Sequence, residues 1–187
     1  MNEAMKGVVF TELLDHIEQQ NDPVFLETLL AALPLASGAA YTAVGTYDWR
    51  ELVAIATAYA ERTGTTLERV LRTFGRRLFA ALAARFSDLV DDYVDARSLL
   101  QGLQDLIHPI VQRLYPNAAL PSFHAEDHGT ELCLVYRSTR PLVDFAHGLV
   151  EGCLDHFGCS AAIDVNREPG GATFAVALPT EAVCRTR

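Results

Sequence analysis

The chain predicts an α+β fold, with helices first and a small antiparallel sheet afterwards, one further helix lying between strands. Three observations carry this. Apolar residues recur at helical spacing as far as residue 115, whereas past Pro116 they gather in short runs of strand formers. Pro169-Gly170-Gly171 then separates two such runs as a hairpin turn would. With 187 residues, half of them hydrophobic and 21% charged, the chain has enough apolar material for a sizeable core without disulfides.

Each element has its own warrant. Val9, Phe10, Leu13, Leu14 and Ile17 fall on one helical face. Pro34 and Gly38 interrupt the next stretch, and residues 36–46 are small and turn-rich. Asp48 can cap a helix over about 49–63, with Leu52, Val53, Ile55, Ala56 and Tyr59 inward and Gly64 as its stop. Thr65 or Thr66 caps another helix, whose apolar face runs through Val70, Leu71, Phe74, Leu78, Phe79 and Leu82. Asp88 to Tyr93 reads as a solvated, acidic helix end. From Arg97 to Tyr115 one continuous helix is expected, striped by Leu99, Leu103, Leu106, Ile107, Ile110 and Leu114. The stretch from His124 to His128 reads as a loop ahead of a strand over Glu131–Ser138, entered by a turn at His128-Gly129. Pro141 to Phe157 is helical and stops at Gly158, and Ala161–Asn166 with Ala172–Leu178 forms the hairpin.

Composition excludes several functions. The formal charge of −9 argues against nucleic acid or an anionic membrane as partner, since both need a basic footprint. The longest apolar run, Leu78 to Ala84, is far too short to span a bilayer. Met1 to Gly7 shows no signal-peptide pattern, so a cytoplasmic protein with reduced cysteines is expected. There is no Cys-x-x-Cys, no Gly-rich phosphate loop, no Gly-x-Ser-x-Gly and no His-Glu-x-x-His.

Two features stand out as chemistry. His108 sits beyond the edge of the apolar stripe, and Pro109 comes directly after it inside the helical pattern. Proline removes a backbone donor there and invites a kink. On spacing alone a half-exposed histidine on a surface helix is the commoner reading, while the kink suits a histidine reaching outward. The second feature is Tyr136-Arg137-Ser138-Thr139-Arg140. If the strand continues to Arg140, Tyr136, Ser138 and Arg140 share one face, forming either a receptor for carboxylates or phosphate or an ordinary exposed strand face.

In register, His108, Leu114-Tyr115-Pro116, Pro121-Ser122-Phe123 and Tyr136-x-Ser138-x-Arg140 resemble the haem-nitric oxide/oxygen binding (H-NOX) family, which includes the haem domain of soluble guanylate cyclase. Met5-Lys6-Gly7-Val8-Val9-Phe10 is similar to the family's start, so Met1 to Ala4 are expected to be an extension or the product of an upstream start codon, and Tyr41 to Asp48 resembles bacterial members. The resemblance implies a single domain over 1–187. A helical distal lobe over 1–66 would cover one haem face, and a proximal lobe over 67–187 would carry the ligand. It implies non-covalent haem b with His108 as the iron's protein ligand, Tyr136, Ser138 and Arg140 as the propionate clamp, and Pro121 pressing on the porphyrin. Oxygen-binding members carry a tyrosine five residues after the clamp arginine, where Phe145 stands here. Their supporting Trp and Asn positions fall on Leu13 and Leu78. An apolar distal pocket implies binding of nitric oxide and carbon monoxide but not oxygen. The family's mode of signalling, breakage of the iron–histidine bond with movement of haem and lobes, would then act in trans, since no output segment is evident before Arg187. A histidine kinase or a cyclic-di-GMP enzyme is the partner class implied.

Two other readings compete. Cys153, His156 and Cys159, with Cys133 or Cys184 as a fourth ligand, have a spacing that could hold structural zinc, and the chain would then be a haem-independent zinc or thiol redox sensor. His124, Glu126, Asp127 and His128 make an imidazole–carboxylate cluster, but on a loop with no nucleophile or oxyanion donor they are expected to be solvated. The chain is not expected to be an enzyme.

Overall fold

The structure is a computed structural model that describes residues 4–114 and 120–178. Tyr115, Pro116 and Cys184 lie outside the described residues. A short strand β1 (Ala4–Lys6) leads into α1 (Gly7–Gln20), and α2 (Pro23–Ala31) comes after it. β2 (Thr46–Asp48) returns to pair antiparallel with β1, a two-stranded ribbon not foreseen from segments so short. α3 (Trp49–Thr63) begins where Asp48 accepts the Arg50 N–H at 2.9 Å and ends at Gly64, whose φ of 66° only glycine takes without strain. α4 (Leu67–Arg85) is capped by Thr66, which accepts the Arg69 N–H at 3.3 Å.

The expected helix from Arg97 to Tyr115 is broken. α5 (Ser87–Val90) and α6 (Ala96–Gly102) lead into a π-helical turn over Leu103–Ile107, and α7 (His108–Leu114) resumes from it. The physical reason is Pro109: without an N–H it cannot bond the Asp105 carbonyl, and the chain widens so that the His108 N–H reaches Leu103 instead.

The segment read as a loop is a strand, β3 (Ser122–Asp127), whose alternation was hidden because little of it is buried. β4 (Leu132–Arg137) begins after a turn with Gly129 at φ 79°. α8 (Val143–His156) stops before Gly158, and β5 (Ile163–Glu168) with β6 (Gly171–Val176) forms the expected hairpin. The sheet order is β3-β4-β6-β5, antiparallel throughout, so β3 is an edge.

The apolar side chains form two clusters. One gathers Phe10, Leu13, Ile17, Leu52, Ile55, Phe74 and Leu78, and the other Leu99, Leu132, Leu134, Phe157 and Phe174. α4 serves both, sending Phe74 and Leu78 to the first and Ala83 to the second. The division expected between residues 66 and 67 falls at the start of α4, while the clusters meet along α4 itself. Its seam with α8 is unusually close. A Cβ on Gly148 would lie 2.0 Å from the Arg72 carbonyl oxygen, and one on Gly75 would lie 2.2 Å from that of Phe145. Arg72 pairs with Glu151 at 2.7 Å, and Arg76 with Asp155, along the outside. Gly148→Ala should therefore destabilise the fold. Overpacking costs about 1–3 kcal/mol, and the helix propensity of alanine returns only about 1 kcal/mol, so the upper end is expected against rigid backbone. Thermal unfolding checks it; a melting temperature equal to wild type would contradict the close seam.

Among the described residues no helix is long and apolar enough to cross a membrane.

Candidate functional site

Between the two clusters lies a cavity of about 300 Å³, at the lower end of the roughly 300–1,000 Å³ common for ligand pockets. α1 contributes Val8 and Val9, α4 contributes Leu78, Phe79, Leu82 and Ala83, and α8 contributes Phe145, Ala146, Leu149, Val150 and Cys153. Phe86, Leu89, Val90, Leu99, Leu100 and Leu103 continue the wall through α5 and α6. Polar groups come mainly from the C-terminal part of the chain: His108, Tyr136, Ser138 and Arg140 all line the cavity, as do Leu120, Pro121 and Phe123.

His108 is the first residue of α7, directly after the π turn. Its ring meets Phe123 edge-on, with centroids 5.9 Å apart and planes at 61°. Nδ1 is buried and has no hydrogen-bond partner among the described residues. Burial holds the imidazole below its ordinary pKa, which keeps it neutral, the form in which a nitrogen lone pair can bind a metal.

The three residues expected to share a strand face reach the cavity differently. β4 ends at Arg137, and Ser138 to Arg140 form a turn in which Ser138 Oγ accepts the Arg140 N–H at 3.1 Å. The Ser138 backbone N–H bonds the Gly170 carbonyl at 2.9 Å, which fastens this turn to the β5–β6 hairpin. Arg140 is half-buried; its guanidinium donates to the Ala4 carbonyl at 2.7 Å, tying the turn to β1. Desolvation lowers the Arg140 pKa, with Tyr136 and Asp48 opposing. Burial raises that of Tyr136, and Ser138 and Arg140 offset part of the rise.

Phe145 and Leu78 line the cavity, and Phe145 stacks on Phe74 with centroids 5.4 Å apart. Leu13 does not line it. It lies one turn beyond Val9 on α1 and is wholly buried in the N-terminal cluster, so Val8 and Val9 make the wall there. The contribution of β1, through Ala4, Met5 and Lys6, carries no sequence signal, because three residues show no periodicity.

The proposed zinc ligands do not converge, and no group of three His, Cys, Asp or Glu among the described residues could hold a metal ion. Cys153 is buried with its thiol 4.0 Å from the Ala96 carbonyl, and His156 packs edge-on against Phe79 and Phe157. Cys159 is disulfide-bonded, contrary to the expectation of reduced cysteines, and so offers no thiolate. His124, Glu126 and His128 are exposed, with His124 3.7 Å and His128 3.8 Å from the Glu126 carboxylate.

A neutral imidazole on a largely hydrocarbon cavity, with a guanidinium, a phenol and a hydroxyl in the same lining, suits a flat apolar cofactor that has a metal centre and carboxylate arms. Haem has those properties, and the donor set fits it. The chain belongs to the haem-NO-binding (H-NOX) family of haem-binding gas-sensor domains, whose model matches residues 6–165. It is similar to the Fe(II) unliganded H-NOX protein from K. algicida, at 26% identity over 95% of this chain and 98% of that one, with a TM-score of 0.88. The S. oneidensis H-NOX protein in its Fe(II)NO state is 29% identical over 92% and 98%, with a TM-score of 0.85. The IWP-051-bound H-NOX from Shewanella woodyi, in the Fe(II)CO state, is 31% identical over 96% and 97%, with a TM-score of 0.79. No curated protein matches the chain.

Proposed function

We propose that this domain senses nitric oxide, with carbon monoxide as a second ligand and oxygen refused, and acts in the cytoplasm on a separate partner protein. The supporting observation is the apolar part of the lining, where Val8, Val9, Leu78, Phe145 and Leu149 present only hydrocarbon. When bound, haem would supply a ferrous iron able to take up small gases. His108 would hold that iron, and Tyr136, Ser138 and Arg140 would hold the propionates. Pro121 would bear on the porphyrin, and Leu78 and Phe145 would shape the gas side. Oxygen depends on a hydrogen-bond donor in such a pocket; nitric oxide does not. The relatives studied with nitric oxide and with carbon monoxide fit that choice.

Output depends on where His108 stands. α7 is joined to α6 only through the π turn, so a displacement of the imidazole moves the helix and not merely one side chain. Movement becomes a signal only where a partner binds the two arrangements differently. A histidine kinase or a cyclic-di-GMP enzyme is the partner class we assign.

Gas choice is tested by absorption titrations of the ferrous protein. The wild type should bind nitric oxide and form no stable oxygen complex in air. Phe145→Tyr adds a phenol, worth about 1 kcal/mol as a neutral hydrogen bond, or roughly a fivefold gain in oxygen affinity. Leu78→Asn in the same chain supports the new hydroxyl and should raise oxygen affinity beyond either single change, with nitric oxide affinity moving far less. A stable oxygen complex in the wild type would overturn the selectivity.

A further inference from the structure

α6 and the π turn run beside the edge strand β3 and are fastened to it by a row of polar side chains. Arg97 bonds the Asp127 carboxylate and donates to the carbonyls of Gly129 at 2.6 Å and Leu178 at 2.9 Å. Gln101 Nε2 donates to Asp127 at 2.9 Å. Gln104 Oε1 accepts the backbone N–H of Phe123 at 3.0 Å. Positions 97, 101 and 104 are spaced by four and three, so the fastenings follow one helix face into the π turn, which ends at His108.

The last fastening is the one nearest His108. The residue it grips, Phe123, is the one whose ring meets the imidazole, and that ring also leans on Tyr136 with centroids 5.2 Å apart. Gln104 therefore holds the backbone of a residue whose side chain touches both His108 and the clamp tyrosine. The need for such a hold is local. An edge strand has outward N–H groups that require acceptors. A π turn followed by proline replaces the i→i−4 ladder of an ordinary helix with wider bonds and loses the donor at Pro109, so outside support helps fix where its next residue points.

We propose that Gln104 is a positioning residue for His108: through the Phe123 backbone it locks the π turn to β3 and sets how the imidazole enters the cavity. This rests on the reading of His108 as the iron's ligand. Gln104 is exposed, so its replacement does not threaten the core. Gln104→Leu removes the acceptor at similar size, and Gln104→Glu keeps one.

The experiment uses the full chain loaded with haem and has two readouts, amide hydrogen exchange at Phe123 and the iron–histidine stretching band of the ferrous protein by resonance Raman. Gln104→Leu should speed Phe123 exchange roughly fivefold, as expected for loss of one neutral hydrogen bond, and displace or broaden the iron–histidine band. Gln104→Glu should restore both towards wild type. Gln101→Leu, which cuts the neighbouring fastening, should leave the band in place. A band unmoved by Gln104→Leu, or moved equally by Gln101→Leu, overturns the assignment while His108 stands. A wild-type protein without an iron–histidine band overturns the reading of His108, and the latch with it.

Discussion

His108→Gly should abolish the native visible spectrum of the haem-loaded protein, and free imidazole should bring a ligated haem back. Among the described residues His108 is the histidine that reaches the cavity wall; His16 and His147 are also buried, but neither lines it. Deleting the side chain takes away the nitrogen donor and leaves a space beside Phe123 for free imidazole to enter. Burial keeps His108 neutral, so the donor is ready without loss of a proton. His147→Ala is the matched control. It removes another buried imidazole, one packed on Phe174 away from the cavity, and it should leave the spectrum unchanged. An unaltered Soret band in His108→Gly without added imidazole would remove His108 from the site.

Much of the fold is legible in the sequence where a cap and an apolar stripe agree. Asp48 with Gly64 brackets α3, and Thr66 opens α4, because side-chain caps and a left-handed stop are local chemistry. The hairpin of β5 and β6 is legible for the same reason. Elements that depend on distant partners are not. β1 and β2 exist only because residues forty or more positions apart pair, and β3 is held at an edge by β4 and by side chains from α6 and the π turn. The π turn is an intermediate case. Pro109 announces an interruption, but whether the chain kinks, stops or widens depends on which carbonyl the His108 N–H can reach.

The candidate site divides along the same line. Tyr136, Ser138 and Arg140 meet on the cavity wall, though the alternation that suggests it ends at Arg137. The last two arrive by a turn that Ser138 closes on the Arg140 N–H. Leu13 shows the opposite. An apolar residue on the right helix can face either the cavity or the core, and a spacing of four from Val9 does not say how deep the cavity runs. The zinc reading fails for a related reason, since spacing cannot show that the Cys159 sulfur is committed to a disulfide.

The clamp should act through charge and shape together, which Arg140→Ala tests. The Arg140 guanidinium sits half-buried on the cavity wall, held by the Ala4 carbonyl and positioned through Ser138. A carboxylate arm meeting it would find a planar fork of donors that lysine cannot offer. Hydrogen bonds to charged groups contribute roughly 1.5–3 kcal/mol each, so Arg140→Ala should loosen haem by about tenfold to over a hundredfold. The smaller figure applies if solvent screens the half-buried charge. Arg140→Lys should fall between alanine and wild type, because it keeps the charge and loses the fork. The same truncation releases the Ala4 carbonyl, so β1 should also exchange its amides faster, even in haem-free protein. The rate of haem transfer to an excess of apomyoglobin measures the first effect, and hydrogen exchange measures the second. Haem loss at the wild-type rate in Arg140→Ala would take the guanidinium out of the haem site, leaving it as a tie between β1 and the turn after β4.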